Sequence, residues 1–393
     1  MALASLRIVR LPLALALVLS ASCALCSQAV AAVTVPQMRN ALSASGRPDT
    51  KLIDTYLKND LFAKFVNPAG GGVMLAGLRR EFGNTFKGIG KTPAHDYLNQ
   101  KTLQYAKLVI SDKSGRFPVA SKYMAMLIIG DLMESDVPGS IKPYGDALAV
   151  LIATLSIDPA AENAYLKPAA LAAIVRLAGE PGALPASEVP KISDALLKIL
   201  KQTDAPPGMS GSAHTYLRRS AAAGLAALGN PGPNNEILKE FEAIVADPNA
   251  RMTFRCETAQ YIGQLKLTPD KKVDYKALAN LIGTMTVGLM DQELDRAAEA
   301  NERPSRRILM YALDSCIASM GGLRRSAEKD AEAARFISGI GSKASALQRT
   351  LDNIDETPDD QLATVVSTEL EGLRSLLTPA AGAQAPLATT GAR

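Results

Sequence analysis

The clearest pattern along the chain is helical. Apolar side chains recur at intervals of three and four in four runs: Leu148, Leu151, Ile152, Leu155; Ile192, Leu196, Ile199, Leu200; Ile237, Leu238, Phe241, Ile244, Val245; and Leu278, Leu281, Ile282, Met285, Leu289. This spacing puts each set on one face of an α-helix, whose period is 3.6 residues. Between the apolar runs lie "SIDPAAEN", "GEPGALPAS", "DAPPGMSGSA", "GNPGPNN", "ADPNA" and "LTPDKK". Proline and glycine sit poorly inside helices, so these stretches read as turns. No segment shows sustained β alternation, and the pattern predicts an all-α chain.

A second kind of helix follows each run, and its sequence repeats. "LKPAALAAIVRLAG" begins at Leu166, "LRRSAAAGLAALGN" at Leu217 and "FRCETAQYIGQLKL" at Phe254. Aligned, each opens with an apolar residue followed by Lys or Arg. Small or apolar residues then follow at spacing three: Leu171, Ile174, Leu177; Ala222, Leu225, Leu228; Ala259, Ile262, Leu265. A looser copy contains Tyr123, Met126, Ile129 and Gly130, and a later one Met310, Leu313 and Cys316. The starts are unevenly spaced, so the array is irregular. A single helix pair cannot bury both its faces, whereas stacked pairs can. Small residues such as Ala221, Ala222, Ala223 and Gly224 let neighbouring helices approach closely.

These copies resemble the HEAT or armadillo superfamily of helical repeats. The nearest is "ADPNARMTFRCETAQYIGQL", residues 246–265, with Asp247-Pro248 in the turn and Arg255, Ala259, Ile262 and Leu265 in the second helix. Asp158-Pro159 fills the same turn elsewhere, and Arg218 the same arginine. Repeat length drifts, the loop before His214 is long, and the fifth copy lacks Asp-Pro. The resemblance covers residues 97–321. It implies an α-solenoid of stacked antiparallel helix pairs, HEAT-like, with helical N- and C-terminal caps.

The expected organisation is a signal peptide at 1–31, a helical cap at 32–96, repeats at 97–322, C-terminal helices at 323–377 and a disordered tail at 378–393. The leader rests on Arg7 and Arg10, the apolar "LPLALALVL" at 11–19 and the small-x-small "AVA" at 29–31. The apolar run is too short for a membrane span. Export to the periplasm or the exterior follows, with no transmembrane span in the mature chain. Cys23 could carry a lipid anchor only if Ser20 served where such signals carry Leu. Residues 34–86 read as short helices around a mobile "NPAGGG" turn. Residues 326–347 and 359–377 read as two further helices, and "TPAAGAQAPLATTGAR" has no periodicity.

Composition adds exclusions. The 393 residues carry a net charge of +4, which falls to +2 once Arg7 and Arg10 leave with the leader. So small a charge gives no footprint for nucleic acid. Aromatics are 5% and tryptophan is absent, which argues against sugar platforms and single-strand grooves. Cys256 and Cys316 remain in the mature chain, and the sequence leaves open a disulfide between them or two buried thiols.

Candidate chemistry fails test by test. "GNTFKGIGKTP", residues 83–93, ends like a phosphate-binding loop at Gly90-Lys91-Thr92. The first glycine of that motif belongs at position 85, where Thr85 stands, and Pro93 disfavours helix at Thr92. A glycine-rich connector, after a helix ending near Gly83, fits better. His95 and His214 are the two histidines, and neither lies in a metal motif. "GMSGSAH" has Ser212 where a nucleophile elbow needs glycine. The carboxylates of "DETPDD" read as a solvated connector and helix start. No catalytic, cofactor or metal residue is assigned. The arginine pairs Arg79-Arg80, Arg218-Arg219, Arg306-Arg307 and Arg324-Arg325 offer a basic stripe. Alternatively, Arg218, Arg255 and Arg307 bridge to turn carboxylates of adjacent repeats. The expected function is a non-enzymatic scaffold that holds a protein or peptide. A self-associating envelope component and an enzyme with a site between repeats are the alternatives.

Overall fold

A computed structural model describes residues 32–43, 46–268, 272–352 and 359–377. The expected leader at 1–31 with Cys23 and Cys26, the expected tail at 378–393, part of "LTPDKK" and most of "DETPDD" lie outside the described residues. The described chain is all-α apart from one small hairpin. Its helices are α1 (Val35–Ser43), α2 (Thr50–Thr55), α3 (Gly71–Phe86), α4 (Pro93–Ser111), α5 (Val119–Asp131), α6 (Gly145–Leu155), α7 (Lys167–Ala178) and α8 (Val189–Lys201). They continue as α9 (Gly211–Leu228), α10 (Glu236–Ala246), α11 (Met252–Ile262), α12 (Tyr275–Ala300), α13 (Arg306–Ser326), α14 (Ala331–Asp352) and α15 (Asp359–Arg374).

Local chemistry sets many of the boundaries. Side-chain oxygens of Asp49, Thr92, Ser210 and Asp274 each accept from a main-chain N–H in the first turn of α2, α4, α9 and α12. These contacts satisfy donors that a helix start leaves unpaired. Gly229 closes α9 in the left-handed conformation at φ 70°, where a side chain would be strained.

The helices pack in a simple order. Each even-numbered helix from α4 to α14 packs against the odd-numbered helix that follows it. Odd-numbered helices also touch in succession from α3 to α13, and even-numbered ones do so from α6 to α14. The five recurring sequences fall on α5, α7, α9, α11 and α13, so they form one continuous row. Apolar residues from Val33 to Leu373 form a single buried cluster.

Small residues allow the closest approaches within that row. A Cβ on Gly130 of α5 would stand 2.4 Å from the Cβ of Ala173 on α7. One on Gly322 of α13 would stand 1.9 Å from the carbonyl oxygen of Gly263, just past α11. The second contact is with backbone, so no rotamer change can relieve it.

Three features differ from expectation. A hairpin lies between α5 and α6: β1 (Met133–Val137) pairs antiparallel with β2 (Ser140–Pro143). Its arms are too short to show alternation, and Pro138-Gly139, with Gly139 at φ 81°, forms its tip. Helix α3 does not end near Gly83 but continues to Phe86, because Phe82, Thr85 and Phe86 bury its last turn. Helix α12 runs 26 residues, past the apolar run. Its extension is anchored by buried Glu293, which accepts from Arg296 and from the Ser305 N–H. The N-terminal region also contains a π-helical turn, Tyr56–Leu61, followed by a 3-10 turn, Phe62–Phe65.

Candidate functional site

The residues with candidate chemistry are mostly engaged in structure. Lys91 pairs with Glu134, which also accepts from Lys142 at 2.6 Å. Thr92 caps α4: its Oγ1 accepts from the His95 N–H at 3.1 Å and donates to the Leu42 carbonyl at 2.7 Å. The loop end thus fastens α4 to the hairpin and to α1. His95 is buried and stacks on Phe86, ring centroids 5.8 Å apart, with Nδ1 3.3 Å from the Gly90 carbonyl. Burial lowers its pKa. His214 is buried on α9, and burial, then Arg218, lowers its pKa too. Ser210 caps α9 and lies 3.1 Å from Ser212.

Cys256 and Cys316 are buried free thiols. Burial pushes Cys256 up to about 12 and Cys316 up to about 11. Among the described residues, no group of three or more His, Cys, Asp and Glu side chains could hold a metal ion. No described helix is long and apolar enough to cross a membrane.

The arginines divide into two roles. Arg218 Nε donates to the Leu200 carbonyl at 2.9 Å, and Arg255 Nε to the Val245 carbonyl at 3.1 Å. Each carbonyl belongs to the next-to-last residue of the preceding helix, where acceptors are unpaired and the helix dipole favours a cation. The expected bridge to turn carboxylates is therefore corrected: these two hydrogen bonds go to main chain. Asp247 acts on both guanidiniums only as a nearby charge. Arg218 also lies over the Phe254 ring at 5.3 Å.

Other arginines link successive odd-numbered helices. Arg79 of α3 grips Asp131 of α5 with two bonds, Nε to Oδ2 at 2.6 Å and Nη2 to Oδ1 at 2.9 Å. Arg176 of α7 donates to the Gly130 carbonyl at 2.7 Å and lies 3.6 Å from Asp131 Oδ1. Farther along, Arg219 of α9 pairs with Glu257 of α11, Nε to Oε2 at 2.8 Å, and Tyr311 of α13 donates to the same carboxylate at 3.2 Å. The odd-numbered helices thus supply two polar clusters of three side chains, one from α3, α5 and α7 and the other from α9, α11 and α13.

The first cluster borders a cleft of about 460 Å³ between α3, α5, α7 and the hairpin. Arg79, Arg80, Lys87 and Arg176 supply positive charge, and Asp131 and Asp136 supply negative charge, a formal balance of +2. Phe86, Met124, Leu127 and Met133 give it an apolar floor. Arg80 and Lys87 are exposed, and neither side chain forms an ion pair among the described residues. Asp136 is half-buried, and burial raises its pKa. Asp131, Asp136 and Arg176 were not singled out from sequence. Their only trace is that Asp131 and Arg176 interrupt apolar runs in "LIIGDL" and "AIVRLAG".

No known protein family, curated protein or solved structure matches this chain.

Proposed function

We propose that this chain is an exported, HEAT-like α-solenoid that works as a non-enzymatic scaffold and holds another protein or peptide against its odd-numbered helices. The succession of helix contacts supports the solenoid reading: pairs join in chain order, with like helices touching like. The recurrence of Arg218 and Arg255 supports it further, since the matching residue makes the matching bond in two pairs.

One observation carries the functional reading. The odd-numbered row bears the polar clusters, the cleft and an exposed aromatic, Tyr216, with 53% of its surface accessible. Tyrosine and arginine are the residue types that dominate binding hot spots.

The test is affinity capture from an envelope extract of the host with the full chain immobilised. One or two stoichiometric proteins are expected. Recovery of the chain alone would favour self-association. A folded chain that retains nothing would end the scaffold reading.

A further inference from the structure

Resting on the peptide-holding reading, we propose that the cleft between α3, α5, α7 and the hairpin is a receptor for the free C-terminal end of a polypeptide, with an apolar last side chain on the Phe86–Leu127 floor and the terminal carboxylate between Arg80, Lys87 and Arg176.

The argument begins with charge. Arg79 and Asp131 neutralise one another through their paired hydrogen bonds. Arg176 is held through its Nη2 by the Gly130 carbonyl and lies 3.6 Å from Asp131 Oδ1, which leaves the other donors of its planar fork unengaged. Arg80 and Lys87 are exposed without an ion pair. Three cationic groups therefore face one carboxylate, Asp136, around a single concavity. A monoanion is the ligand charge that reduces this excess. An arginine whose position is already fixed by a main-chain bond loses little entropy on gripping a carboxylate.

The remaining features narrow the class. Four apolar side chains make up the floor, so the anion must come with an apolar body. About 460 Å³ suits one or two residues rather than a folded partner's flat surface. Asp136 can accept a main-chain N–H of the incoming chain. A carboxyl end carries the anion, the apolar group and the N–H within one residue, an arrangement that fits all three.

The experiment screens the full chain against a random heptapeptide library with free C-termini, then measures recovered peptides by fluorescence anisotropy. Peptides ending in an apolar residue are expected. Amidating the terminus, or the paired change Arg80→Glu and Lys87→Glu, should weaken binding by about tenfold or more. Both positions are exposed on the rim, so the variant should keep the wild-type circular dichroism and melting temperature. Three results with these ligands would overturn the proposal, and so would one result of envelope capture. Peptides could bind equally well when amidated, none could be recovered, or sodium octanoate could bind as tightly as the best peptide. The last would assign the cleft to free amphiphilic carboxylates. Envelope capture undiminished in the paired variant would leave the scaffold reading standing and remove only this one.

Discussion

The regular part of the molecule, α7 to α13, and its N-terminal part, α1 to the hairpin, differ in where they bury charge. In the regular part Arg218 and Arg255 turn inward to main-chain carbonyls, beside the ion pair of Arg219 with Glu257: Arg255 is 7% exposed, and its bond to Val245 closes a helix end. In the N-terminal part Arg79 and Asp131 remain 35% and 16% exposed and border a cleft. The backbone differs in the same sense. The middle runs as α-helices joined by turns, one of them a 3-10 turn at Pro233–Asn235, while the N-terminal part adds a π turn and a hairpin. Where the hairpin interrupts the alternation of helices, a concavity remains, lined by charges that pair only in part.

The largest expected effect would test the regular stack. Gly322→Val should destabilise the chain by more than about 3 kcal/mol, because its side chain would meet the Gly263 backbone. Gly339→Ala in α14, where the nearest atom is 3.6 Å away, should be neutral or gain up to about 1 kcal/mol from helix propensity. Thermal or urea unfolding measures both. Similar losses in the two would contradict the close-approach account.

Next in size is a direct comparison of the two arginine roles. Arg255→Ala should cost about 2–3 kcal/mol, since it strands the buried Val245 carbonyl. Arg79→Ala should cost about 1 kcal/mol or less, because its ion pair is partly exposed. Equal costs would erase the distinction between the regions.

Acid should act on both regions through one histidine each. Burial disfavours the charged imidazolium of His95 and His214, so both folded pKa values lie below the ordinary value of 6.5. As pH falls through that value, the unfolded chain takes up protons that the folded chain refuses. Stability should therefore be complete above about pH 7 and decline below 6.5, by at most about 1.4 kcal/mol per pH unit for each histidine. Urea midpoints between pH 7.5 and 5 measure this, and a double change, His95→Gln with His214→Gln, should flatten the slope.

The smallest effect is a silence. Cys256 and Cys316, with thiols pushed up to about 12 and about 11, should resist a thiol reagent at pH 8 and react once the chain unfolds. Prompt reaction in the native state would mean that α11 and α13 open readily.

The regular rows were legible because the pattern that forms a helix also builds the core. Leu171, Ile174 and Leu177 repeat at helical spacing, and all three are buried. The direction of Arg218 and Arg255 was not legible, since a main-chain carbonyl leaves no mark on the sequence. The hairpin was hidden by its length, with arms of five and four residues. The cleft was hidden for another reason. Arg79 meets Asp131 across 52 residues, and Arg176 meets Gly130 across 46. Periodicity reports which face of a helix is buried, but it carries no information about which charges meet across separate helices.

The most direct measurement places a photo-crosslinking residue on each row. One variant carries it at Tyr216, exposed on α9, and another at Lys239, exposed on α10. Each is mixed with the host envelope extract and irradiated. If the odd-numbered helices form the binding surface, the captured protein should crosslink from position 216 and not from 239. Crosslinking from 239 alone would place the partner on the opposite row and contradict the account.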